Sequence, residues 1–219
     1  MKPVPLHLLP DSATVQADGS LAIGGCDVGE LAGRFGTPLF IYDEAHLRAR
    51  CAEAVAAFGP GRAYYATKAF LCTAMARLAY EEGMHLDVAS GGELYVALRA
   101  GVPANALAFH GNNKSLAELR MAITEGVRHI VVDSFDELDR LESLHAEGLP
   151  APKVLARITP GVHAHTHEFI ATGQDDSKFG FNLGNGDAHK AVDRMRRSLS
   201  VQLEGVHCHI GSNVFEASN

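Results

Sequence analysis

The 219 residues carry a net charge of −7, with 47% hydrophobic and 21% charged residues. That balance describes a soluble globular chain and excludes disordered, collagen-like and fibrous classes. It argues against a dedicated nucleic-acid binder, whose surface is basic, and no run reaches the ~18 apolar residues of a membrane span. The first residues, MKPVPLHLLPDSATVQ, are broken by prolines and hold no apolar core of a secretory signal. Cys26, Cys51, Cys72 and Cys208 are scattered without a CxxC pair, which reads as reduced thiols in a cytoplasmic protein.

In chain order, residues 21–42 are expected to hold a short strand, a short helix, and a further strand over PLFIYD (38–43). A long helix should follow over 43–59. From residue 62 the pattern repeats. RAYYATK (62–68) reads as a strand and 71–83 as a helix. The strands 84–90, 106–111, 129–134 and 153–160 follow, with helices at 92–101, 115–126 and 135–148 between them. After an irregular loop, 187–197 is helical and 203–212 is a sixth strand. The first five strands start every 22 to 24 residues. Ser115 with Glu118, and Ser134 with Glu137, have capping-box spacing. Gly83, Gly101, Gly126 and Gly148 stand where helices should stop. Strands alternating with helices imply a parallel sheet covered by helices. No GxGxxG follows the first strand, and the even pitch favours a (β/α)8 barrel over a doubly wound sheet.

A barrel gathers its active site at the C-terminal ends of its strands. Those ends carry Lys68, Asp87 to Ser90, His110 to Asn113, Asp133 with Ser134, Arg157, and then His207, His209 and Ser212. Six polar ends in a row suggest one polar pocket. Lys68, flanked by apolar residues, is the sharpest signal, because desolvation makes a lysine amine nucleophilic; the plain alternative is a surface lysine at a strand end. His207 and His209 are two apart and would share a face of a strand. Backbone N–H groups around Gly211, with the Ser212 hydroxyl, suit an anion. His163, His165 and His167 form an HxHxH run, but it reads as a loop with no fixed carboxylate partner, so no metal is expected. QDDSKFGFN (174–182) reads as either a solvated loop or a lid.

The ordered motifs YYATKAF, LDVASGGEL, FHGNNKS, RITPG, HTHEFI, SKFGFN and GVHCHIGS resemble the N-terminal barrel of the diaminopimelate decarboxylase family. That family lies within the fold-type III pyridoxal-phosphate enzymes, with ornithine and arginine decarboxylases and alanine racemase. The resemblance covers roughly residues 30 to 219. It implies pyridoxal phosphate as cofactor and an amino acid as substrate. Lys68 matches the lysine that bonds to the cofactor, and His209 the histidine that stacks on its ring. Ser212 matches a serine near the phosphate, and Asp87 and Arg157 match groups that set the pocket. It implies an incomplete barrel of about six βα units (residues 43–219), preceded by a segment (1–42) that contributes a strand to a β-domain. The later phosphate loop, the pyridine-nitrogen carboxylate and the C-terminal β-domain have no counterpart here, so the chain is expected to be an inactive fragment of a homodimeric parent. Rival readings are an ornithine or arginine decarboxylase, a non-catalytic pyridoxal-phosphate carrier, and a metal-dependent barrel hydrolase using the three histidines.

Overall fold

Short runs of β-forming residues at the 22-to-24-residue pitch do become parallel strands. The computed structural model describes residues 5–161 and 179–211. It divides into two compact units, Met1–Ala63 with Glu81–Met84, and Tyr64–Tyr80 with His85–Asn219.

The first unit holds three short antiparallel strands in the order β1 (Thr14–Val15), β2 (Leu21–Ile23), β3 (Cys26–Asp27). Gly24 and Gly25 link β2 to β3 with φ of +58° and +77°, the two-residue hairpin turn that only glycine-like residues enter without strain. Asp27 caps helix α1 (Val28–Phe35) and Asp43 caps helix α2 (Glu44–Phe58); each carboxylate accepts a first-turn N–H. Arg48 on α2 reaches Glu44, Glu81 and Glu82, and these carboxylates raise its pKa. One sequence expectation fails here. PLFIYD is not a strand, and Phe40 is 85% exposed. Its β-forming residues find no strand to pair with among the described residues, and β structure needs that ladder.

The second unit is built on one sheet. Its strands are β4 (Tyr64–Ala66), β5 (His85–Val88), β6 (Leu107–Phe109), β7 (His129–Val132), β8 (Lys153–Thr159), β9 (Phe181–Asn182) and β10 (Gln202–His207). The order is β10-β8-β7-β6-β5-β4, all parallel, with β9 pairing parallel to the end of β8. The loop expected before residue 187 therefore contains a strand, because Phe181 and Asn182 line up beside Ile158 and Thr159. Helices α3 (Thr73–Glu81), α4 (Gly91–Arg99), α5 (Leu116–Glu125), α6 (Phe135–Ala146) and α7 (Asp187–Arg197) complete the βα units. Six sequential parallel strands with helices between them match the sequence reading of about six βα units.

The core lies between sheet and helices. Leu86 and Val88, Leu107 and Phe109, and Ile130 and Val132 are fully buried; each pair is two apart on its strand, so the apolar layer they form covers one face of the sheet. From the helices, Leu94, Leu119, Leu138, Leu141 and Leu144 bury fully against them. Among the described residues no helix is long and apolar enough to cross a membrane.

Candidate functional site

Strand β4 stops at Ala66, and residues 67–69 turn in a short 3-10 helix. Thr67 points inward: it is 1% exposed, and its hydroxyl donates to the Asp87 carbonyl at 3.0 Å. Its neighbour Lys68 is exposed. This corrects two expectations. Lys68 is beyond the strand rather than on it, and among the described residues no apolar wall surrounds its amine.

Asp87 stands on β5 with Ala66 and Ala108 in register on either side, so small residues leave room around its carboxylate. His110 follows β6, where its N–H donates to the Val88 carbonyl. Its Nδ1 lies 2.5 Å from Asp87 Oδ1. Asp133 follows β7. Arg157 lies on β8, only 6% exposed, with its Nε 3.5 Å from Asp133 Oδ1. Its guanidinium carbon sits 4.5 Å over the Phe179 ring, an arrangement that favours a partly desolvated cation. Burial lowers the Arg157 pKa, while Asp133 and Asp87 oppose that shift. Asp133 Oδ2 also accepts the Gly180 N–H at 3.1 Å. Gly180 has φ +74°, and a Cβ there would lie 2.8 Å from the Arg157 carbonyl, so only glycine lets this segment lie so close to β8.

His207 ends β10 opposite Arg157 in register. Its Nδ1 is buried without a hydrogen-bond partner among the described residues. Burial, with the Arg157 charge second, holds its pKa down at about 4. The strand ends there, so His209 and Gly211 lie in the loop beyond it rather than on the same strand face. His209 is half-buried; burial lowers its pKa first, and the charges of Arg157 and Lys68 push the same way. His209 thus stands within electrostatic reach of Lys68, Asp87, His110 and Arg157, and His207 within reach of Asp87, His110, Arg157 and His209, at the C-terminal ends of the strands. Ser212, the HxHxH histidines and most of QDDSKFGFN lie outside the described residues.

Some strand-end residues play a different part. Ser90 and Ser134 cap α4 and α6, accepting the N–H groups of Glu93 and Glu137. The N–H groups of the turn that opens α4 are already taken: Glu118 Oε1 accepts that of Gly91 at 2.7 Å and Glu93 that of Ala89 at 2.6 Å. Ser115 and Glu118 form the complete capping box. The second box does not close: the Glu137 carboxylate accepts from Asp133 N–H and faces Lys114 instead. Sequence reasoning also missed Phe179 beneath Arg157 and the buried Thr67. No local pattern announces either, since both depend on which segment crosses which strand.

The family model described as pyridoxal-dependent decarboxylase, pyridoxal binding domain, matches residues 44–219. The chain belongs to that family. It is 52% identical over 204 residues to the diaminopimelate decarboxylase of Bacillus subtilis (strain 168), covering 91% of this chain and 46% of that protein. It is 50% identical over 208 residues to that of Bacillus methanolicus, covering 93% and 48%. A crystal structure of diaminopimelate decarboxylase from M. jannaschii bound to L-lysine superposes with a TM-score of 0.84 at 36% identity, covering 95% of this chain and 50% of that one. The chain spans about half the length of the curated relatives it matches. The partial barrel seen here is the (β/α)8 barrel of the fold-type III pyridoxal-phosphate decarboxylases.

Pyridoxal phosphate is the cofactor that this membership implies. The residues present fit it. An exposed amine, a buried guanidinium, two imidazoles whose pKa burial lowers and one carboxylate converge on one end of the sheet. An orphaned His207 Nδ1 sits among them. That set suits an anionic aromatic aldehyde better than a cation. Among the described residues no cluster of His, Cys, Asp and Glu has metal-binding geometry.

Proposed function

We propose that the protein to which this chain belongs decarboxylates meso-diaminopimelate to L-lysine with pyridoxal phosphate. The supporting observation is about 50% identity, over nearly the whole chain, to relatives named diaminopimelate decarboxylase. When bound, the cofactor supplies an electron-poor ring that accepts the electron pair left behind as carbon dioxide departs. Within this chain, Lys68 supplies the amine that bonds to the cofactor aldehyde. His209, whose pKa burial lowers, would pack on the ring face. Asp87, held by His110, and Arg157, held by Asp133, line the pocket around the lysine. Gly211 and Ser212 offer donors to the phosphate. Residues 1–42 belong with a β-domain, to which PLFIYD would add a strand once that domain lays a partner strand alongside it, and 43–219 form the barrel portion. The parent is a cytoplasmic homodimer, a reading that rests on the family resemblance.

Borohydride treatment of the cofactor-loaded protein tests the central assignment. The cofactor should become fixed to the peptide carrying Lys68. A label on Lys114 or Lys178 would overturn it, and the geometry already speaks against Lys114, whose ammonium is buried and hydrogen-bonded to two carbonyls. Carbon dioxide release from diaminopimelate, but not from ornithine or arginine, is expected of the whole protein; the reverse preference would replace the substrate.

A further inference from the structure

Lys114 and Glu137 are buried charges that, among the described residues, touch none of the proposed cofactor ligands. Lys114 is 2% exposed and Glu137 4%. The Lys114 ammonium donates to the carbonyls of Gly111 at 2.6 Å and Val131 at 2.8 Å, and lies 2.9 Å from Glu137 Oε1. The other Glu137 oxygen accepts the Asp133 N–H at 3.1 Å. Burying two charges is costly, and apolar side chains of like volume usually serve stability as well or better. A pair that only filled space would be easily replaced.

We infer that the Lys114–Glu137 pair positions the pocket's two acidic arms, a role that rests on the decarboxylase reading for its kinetic consequence. One arm runs from Lys114 to the Gly111 carbonyl, next to His110, whose imidazole grips Asp87. Gly111 has φ +115°, and a Cβ there would lie 3.1 Å from the Ala89 carbonyl, so this turn has little room to resettle. The other arm runs from Glu137 to the Asp133 backbone, whose side chain holds Gly180 and faces Arg157. The pair thus ties the ends of β6, β7 and β8 through two opposite charges, while standing behind the pocket. Lys114 and Glu137 are positioning residues, not catalytic ones.

The test compares the whole protein with Lys114→Met/Glu137→Leu, which removes both charges at similar volume. Melting should stay within about 4 °C of the parent, while kcat falls about a hundredfold, the cost of a roughly 1 Å misplacement, and KM moves less than threefold. The His110 ring and Arg157 Nε signals in NMR should shift without any cofactor or substrate present. A stable double variant with parental kcat and unmoved signals overturns the inference. Should the double variant fail to fold, Glu137→Gln decides: Asp133 N–H keeps an acceptor, Lys114 loses its counter-charge, and the His110 signals should move while those of Arg157 stay. Unmoved His110 signals there also overturn it. Absence of turnover in the parent protein would refute the decarboxylase reading alone, and the NMR signals would still decide the positioning role.

Discussion

Lys68 and Thr67 show how one turn separates two neighbours: the hydroxyl is anchored on the Asp87 carbonyl, and the lysine beside it is exposed. The sequence marks Lys68 by its place in YYATKAF, but its exposure follows from where β4 stops. His209 is legible by motif only, since it lies past the strand end. Replacing it with alanine should weaken pyridoxal phosphate binding about tenfold, the scale of an aromatic stacking contact, as read by spectral titration; unchanged affinity would move the stacking role to His207. His207 carries a second prediction. Its pKa is about 4 in the fold against 6.5 ordinarily, so the unfolded chain takes the proton first as pH falls. Stability is therefore full above pH 6.5 and declines from there to pH 4, by at most about 1.4 kcal/mol per pH unit. The lowered pKa of His209 acts with the same sign. Denaturant melts at pH 7, 5.5 and 4.5 should show a shallower loss in His207→Gln, and identical slopes would contradict it.

Helix starts are where local sequence and structure agree best. Ser115 and Ser134 cap the helices their spacing implies, because a cap is a contact within four residues; Ser90, read only as a polar strand end, caps α4 in the same way. Glu118 goes further than its spacing shows. It closes the box on α5 and also takes the first N–H of α4. Glu118→Ala should cost about 2 kcal/mol and Ser115→Ala about 1 kcal/mol, measured by denaturant unfolding; equal costs would mean the bond to Gly91 contributes nothing. Glu137 shows the opposite case. The same spacing after Ser134 suggests a closed box, yet a buried lysine from another βα unit competes for the carboxylate and wins. PLFIYD and β9 fail for the same reason: a two-to-six-residue strand exists only if a partner is alongside, and no local pattern names the partner.

At the scale of the molecule, the parallel sheet concentrates both stability and chemistry. Leu107 lies on β6 between β5 and β7 and is fully buried. Leu107→Ala should cost about 3 kcal/mol, while Leu199→Ala, at 87% exposure, should stay within about 0.5 kcal/mol; similar losses at both would refute this placement of the core. The sequence by itself determined the alternation of strands and helices, the parallel sheet, the helix caps, and the strand ends that carry Lys68, Asp87, His110 and Arg157. All of these follow from periodicity and from contacts close along the chain. Only the tertiary structure decided that Lys68 is presented rather than walled in, that Gly180 and Phe179 fold back on Arg157, and that Lys114 meets Glu137. Each of those needs residues more than twenty positions apart to meet, or a strand to end at a particular residue. The deciding energy is burial and pairing across strands, which local sequence does not encode.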